Sequence, residues 1–144
     1  MIAIASDHAG IALKTDICRF LQSFGFEVED LGPEDTLSVD YPDYAHLLAR
    51  AVSDGRIERG ILVCGTGIGM SMAANRHPGV RAALCHDAYT AEMARRHNDA
   101  NVLCIGARAI GGGVAEQIVR IFAETPFEGD RHQRRVNKIE WEES

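Results

Sequence analysis

The sequence contains no Cys-x-x-Cys pair: its four cysteines, Cys18, Cys64, Cys85 and Cys104, lie far apart along 144 residues. That spacing argues against a zinc knuckle, a dithiol redox motif or a disulfide scaffold, and it suits free thiols in a reducing cytosol, so a cytoplasmic protein is expected. Long apolar runs are missing too. None approaches the roughly 18 residues of a membrane span, and Met1-Ile2-Ala3-Ile4-Ala5 opens without a basic leader, so neither a membrane anchor nor export is expected. Nor is there a positive excess. Fifteen Lys and Arg stand against 21 Asp and Glu, a formal net charge of −6, which makes nucleic acid and anionic lipid poor partners. A small anionic ligand would need a local basic cluster. Arg131, His132, Arg134 and Arg135 form one near the C-terminus, although a solvated helix face gives the same run.

What is present is an ordinary globular composition, 46% hydrophobic and 25% charged, on a chain sized for one domain. Short apolar runs alternate with amphipathic stretches, with no repeat or linker between them, which is the pattern of βαβ units. Strands are predicted at Ile2 to Ser6, Glu27 to Leu31, Gly60 to Cys64, Arg81 to Cys85 and Asn101 to Gly106. Leu13, Ile17, Phe20, Leu21 and Phe24 recur at helical spacing, as do Tyr44, Leu47, Leu48, Ala51 and Val52, and Val114, Ile118, Ile121 and Phe122. A charged stretch from about Asp130 to Glu142 reads as a last helix. The expected fold is therefore a single-domain α/β structure, a five-stranded parallel sheet with about five helices on its two faces.

Ligands of open parallel sheets bind beyond the carboxyl ends of the strands, where neighbouring connections leave toward opposite faces. With an assumed strand order of 2-1-3-4-5, that point lies between the first and third strands. Ser6-Asp7-His8 and Cys64-Gly65-Thr66-Gly67-Ile68-Gly69 would then face each other across one crevice.

The glycine run could hold an oxyanion on backbone amides at a helix start, or could be a plain tight turn. Met70 stands where the dinucleotide fingerprint needs its last glycine, and no Lys-Ser/Thr ending marks a nucleotide loop. Cys64 ends a strand directly before this loop, where a following helix N-terminus favours the thiolate; it reads as functional, whereas Cys18, Cys85 and Cys104 read as small core residues. Asp7 reads by default as a helix cap. His8 and His97 are each open to a structural or a proton-carrying role.

Asp7-His8-Ala9-Gly10, Asp40-Tyr41-Pro42-Asp43-Tyr44-Ala45, Cys64 to Gly69, His97-Asn98-Asp99-Ala100-Asn101-Val102-Leu103 and Arg131-His132-Gln133-Arg134-Arg135-Val136 together resemble the ribose-5-phosphate isomerase B family in order and spacing. The resemblance implies a Rossmann-like three-layer α/β sandwich that works as a homodimer, or as a pair of dimers in a tetramer, with no metal, nucleotide or other cofactor. It implies an aldose–ketose isomerase of ribose 5-phosphate. Cys64 would move the proton between C1 and C2, His97 would open the furanose ring, and Thr66 with the amides of Gly65, Gly67, Ile68 and Gly69 would hold the enediolate oxygen. By the same resemblance Asp7, His8 and Asn98 bind the sugar, and Arg108, Arg131 and Arg135 contribute to phosphate binding. The site would be shared, with the His97-Asn98 segment and the C-terminal helix, about 130–142, coming from a partner subunit.

The chemistry asks for the same residue types: a base of near-neutral pKa at a carbon acid, donors at the oxygen that gains charge, and a remote phosphate to position the substrate. One branch of the family carries a glutamate base where this chain has Met70, which strengthens the assignment to Cys64. Asp130 is a departure, since many relatives carry glycine there; a cap for the last helix is the favoured reading. Isomerases of galactose 6-phosphate, allose 6-phosphate and erythrulose 4-phosphate share the motifs, and residues such as Tyr41 would help set sugar length. A sugar-phosphate-binding subunit without catalysis is a different class, against which Cys64, Thr66 and His97 together argue. A receiver-like domain would want a phosphorylatable aspartate where Cys64 stands.

Overall fold

The computed structural model describes residues 1–141, and its strands begin and end within one residue of the apolar runs that predict them. They are β1 (Ile2–Ser6), β2 (Val28–Asp30), β3 (Arg59–Cys64), β4 (Ala82–Leu84) and β5 (Val102–Gly106), all parallel in one sheet. A 3₁₀ turn at His8–Gly10 leads into α1 (Ile11–Ser23), followed along the chain by α2 (Tyr41–Ser53), α3 (Ile68–Ala74), α4 (Ala88–Asn98), α5 (Gly112–Glu124) and α6 (Arg131–Asn137). This is a single-domain α/β sandwich of the Rossmann-like kind.

Alternate side chains of the central strands enter two separate cores, which is why β1 and β5 are buried along their whole length. Ile4, Val63 and Ile105 face the layer of α1, α4 and α5, where Ile17, Leu21, Ile118 and Phe122 complete the packing. Ala5, Leu62, Cys64 and Cys104 face α2 and α3, where they meet Leu48, Ala49 and Met70. Under the end of β1, Lys14 is 2% exposed; its Nζ donates to Asp30 Oδ1 at 2.8 Å and to the Pro33 carbonyl at 2.7 Å. Lys14 is buried while Asp30 is about half exposed, and the two bonds tie α1 to the β2 edge and the Pro33 segment.

The strand order is β2-β1-β3-β5-β4, which corrects the assumed 2-1-3-4-5. β5 offers five fully buried residues, whereas β4 has three that are only half-buried, so the more apolar strand takes the interior place and the shorter one the edge. The expected crevice survives because β1 and β3 remain neighbours, with Ser6 opposite Val63, and α1 and α3 leave toward opposite faces. The exchange also lays the β5–α5 loop beside the β3–α3 loop. The amides of Ala107 and Arg108 donate to the carbonyls of Cys64 and Gly65 at 2.8 and 3.0 Å.

The last helix is shorter than the expected 130–142: it ends at Asn137, and Glu142 lies outside the described residues. Asp130 precedes it with φ 50° and ψ −127°, and its side chain makes no capping hydrogen bond, so the favoured reading of a cap is not borne out. A side chain caps from extended backbone, whereas this backbone lies in the left-handed region that suits glycine.

Candidate active site

Cys64 is the last residue of β3, 5% exposed, and it borders a cavity of about 450 Å³ with Asp7, Tyr41, Gly65, Thr66, Ile68, Gly69 and Met72. The Gly67 N–H donates to Cys64 Sγ at 3.0 Å. A donor so placed stabilises negative charge on sulfur. The turn requires glycine at this position, since its φ is +82° and a Cβ there would lie 2.6 Å from Leu84 Cδ1. Cys85 and Cys104 are dominated by burial instead. Burial pushes the Cys85 thiol up to about 11 and raises that of Cys104 as well, which leaves both as the inert core residues expected. Cys18, on α1, is half-buried, and burial followed by Asp30 raises its pKa.

Each neighbour of the sulfur has a traceable origin. Thr66 Oγ1 accepts the Ile68 N–H at 3.2 Å, so its own hydroxyl proton remains for an oxygen in the cavity. Gly69 comes so close under the Tyr41 ring that any Cβ would overlap it, and this places the ring on the cavity wall. Asp7 caps the 3₁₀ turn as its residue type suggests, with Oδ1 accepting from Ala9 at 2.9 Å and Gly10 at 3.1 Å. Oδ2 is the oxygen left for a ligand hydroxyl, so the cap and the cavity use one side chain. His8 Nδ1 accepts the Val39 N–H at 3.2 Å, which places the ring proton on Nε2. Arg108 reaches the same group from the neighbouring loop, its guanidinium 3.5 Å from the point where a Gly65 Cβ would sit.

His97, Asn98, Arg131 and Arg135 do not line this cavity. His97 and Asn98 end α4, which returns to the amino ends of the strands before β5 begins at Val102, while Cys64 pairs with Gly106 at the carboxyl end. One strand length, roughly 15 Å, therefore separates Cys64 from His97 within a chain. The His97 end has its own order. Its ring stacks on that of His132, with centroids 4.2 Å apart and planes 16° from parallel, and Glu128 Oε2 lies 3.9 Å from His97 Nε2 and 3.7 Å from His132 Nε2. Burial, then the neighbouring His97, holds the His132 imidazole below its ordinary pKa. Arg131 and Arg135 are exposed on one face of α6, beside these rings.

A family model described as Ribose/Galactose Isomerase matches residues 2–139. The chain belongs to this family. It is similar to ribose-5-phosphate isomerase B of Escherichia coli, 45% identical over 96% of this chain and 93% of that one. It is 46% identical to a D-erythrulose-4-phosphate isomerase of Pectobacterium atrosepticum, over 96% of this chain and 91% of the relative. The crystal structure of ribose-5-phosphate isomerase B from Mycoplasma genitalium with bound ribulose-5-phosphate superposes with a TM-score of 0.92 at 47% identity, covering 96% of this chain and 92% of that one. This protein is accordingly a sugar-phosphate isomerase with the fold of the ribose/galactose isomerases.

Two residues beside His97 were not singled out from the sequence. Glu128 sits between α5 and α6 in a segment with no periodic signal, and His132 was read only as part of a basic run. His97, Glu128 and His132 bring three possible metal-ligand atoms within 4.8 Å of one another. An imidazole ligates through a lone pair in its own plane, and two nearly parallel stacked rings do not aim at one point. Among the described residues, no helix is long and apolar enough to cross a membrane.

Proposed function

We propose that the chain interconverts ribose 5-phosphate and ribulose 5-phosphate, with Cys64 as the carbon base and His97 as the ring-opening group. The observation that carries the reading is the Cys64 sulfur, bordering a cavity with a backbone N–H aimed at it and the Thr66 hydroxyl, Asp7 and Arg108 around it. Ring opening comes first: the O1 proton passes to His97, C1=O1 forms, the C1–O4 bond breaks with its electron pair going to O4, and O4 receives a proton from the imidazole. The Cys64 thiolate then takes the C2 proton of the open aldose. The charge that develops on O1 is met by Thr66 and the loop amides; O1 takes up the proton that O2 gives up, C2=O2 forms, and the thiol returns its proton to C1, which completes the ketose.

Two copies are needed for this sequence of steps, because Cys64 and His97 lie at opposite ends of one chain's sheet. In the proposed homodimer, the partner subunit brings its α4 end and its C-terminal helix to the cavity beside Cys64. Arg131 and Arg135 of that helix join Arg108 at the phosphate, whose binding energy positions the reacting carbons. His8 and Asn98 contact the sugar. The proposed setting is the cytoplasm, where the free thiols stay reduced.

The relative that acts on erythrulose 4-phosphate makes chain length the open variable within this class. Turnover by the purified protein of a panel of four-, five- and six-carbon aldose phosphates tests the substrate. The highest kcat/KM is expected with ribose 5-phosphate; a preference for a four- or six-carbon sugar would replace the substrate while leaving the chemistry.

A further inference from the structure

We propose that Glu128 is a positioning residue for His97, its carboxylate and the buried His132 ring together holding the His97 imidazole in the orientation that ring opening requires. The inference rests on the reading of His97 as the ring-opening group.

Glu128 is placed by its backbone. Its amide donates to the Arg96 carbonyl at 3.1 Å, one residue before His97. The same two segments are joined again by Arg95, whose Nε donates to the Thr125 carbonyl at 3.0 Å and whose Nη1 donates to Asp99 Oδ1 at 2.9 Å and the Ala100 carbonyl at 2.7 Å. These bonds tie the end of α4 to the segment before α6 and hold the Glu128 backbone beside the imidazoles.

A single oxygen, Oε2, faces Nε2 of both stacked rings, at 3.9 Å for His97 and 3.7 Å for His132, while Oε1 lies 3.9 Å from Arg96 Nη1. His132 is 5% exposed, and its Nε2 is buried without a hydrogen-bond partner. A buried polar atom left unpaired costs about 1–3 kcal/mol, a cost that such sites carry when the geometry serves function. Two stacked imidazoles against one carboxylate do not both carry charge, and Arg131 and Arg135 on α6 add to the repulsion. The buried ring stays neutral. The half-exposed His97 is then the one that exchanges protons, and with Nε2 turned to Glu128 it presents Nδ1 to O1 and O4 of the sugar. The present distances are longer than hydrogen bonds; such contacts commonly tighten only when substrate binds.

The test compares Glu128→Gln, His97→Asn and the double variant on ribose 5-phosphate and on its 4-deoxy analogue, which lacks the ring-closing hydroxyl and stays open. Glutamine keeps the size of the side chain and the backbone anchor on Arg96. The expected result is a loss in kcat of about tenfold or more for Glu128→Gln on ribose 5-phosphate, part of the 10²–10⁴-fold that a placed acid–base group supplies. KM, inhibition by inorganic phosphate, and turnover of the 4-deoxy analogue stay unchanged, and the double variant is no slower than His97→Asn alone. Equal loss on both substrates for Glu128→Gln, no loss on either, or losses that multiply in the double variant would overturn the proposal while leaving His97 in its role. Equal loss on both substrates for His97→Asn would overturn the ring-opening reading, and the positioning role with it.

Discussion

The Gly67 amide nitrogen stands 3.0 Å from the Cys64 sulfur, in a turn where the +82° φ of Gly67 carries the chain on into α3. The proposed base and its electrostatic support thus belong to one loop, and a change at either should be read in turnover before it is read in stability.

Cys64→Ala removes the proposed base and leaves the cavity. Turnover is expected to fall by about 10²- to 10⁴-fold, with unchanged circular dichroism and unchanged inhibition by inorganic phosphate. Turnover like that of the wild type would remove Cys64 from the mechanism. A protein that only binds sugar phosphate, without catalysis, would show no turnover to lose.

Asp130→Gly tests the strained residue ahead of α6. Its φ of 50° suits glycine, and its side chain makes no cap bond that the change would lose. A gain of about 1 kcal/mol is expected in urea unfolding, from relief of the left-handed strain. Loss of a carboxylate next to Arg131 should also lower KM for the phosphorylated substrate. An unchanged or lower stability would show that the strain is not stored there.

The fold was legible in the sequence wherever a strand was long and apolar. Ile2 to Ser6 and Gly60 to Cys64 could be placed to within a residue because side chains buried on both faces leave a continuous apolar run. The order of β4 and β5 was not, because it depends on which of two short strands buries more surface, a comparison made in three dimensions. The Asp7 cap was legible because capping is local; the missing Asp130 cap was not, because nothing in residue type announces a positive φ. Likewise Cys64, Thr66 and the glycines were readable from one loop. Glu128 was not, since it joins His97 only through the packing of the segment before α6 against α4.

Stability should fall in mild acid. His46 Nδ1 and His77 Nε2 are 2.7 Å apart, a contact that requires one of them to be neutral. Burial, then His46 and Arg50, lowers the pKa of His77, with Asp54 opposing. The unfolded chain takes up the proton near pH 6.5 and the folded chain resists it, so this contribution is complete above about pH 6.5 and is lost as pH falls below that value. His132, lowered by burial and His97, acts with the same sign. Urea unfolding from pH 7.5 to 5.5 should show a decline that is shallower in His77→Gln; equal slopes would mean that the pair carries no linked proton.

The measurement that tests the account most directly is complementation between two inactive chains. Cys64→Ala and His97→Asn, carried on differently tagged chains and purified as a mixed dimer, should yield one intact and one doubly defective site. Since a two-fold dimer has two equivalent sites, about half of the wild-type activity per dimer on ribose 5-phosphate is expected. A mixed dimer no more active than its two parents would contradict a site built from Cys64 of one copy and His97 of the other.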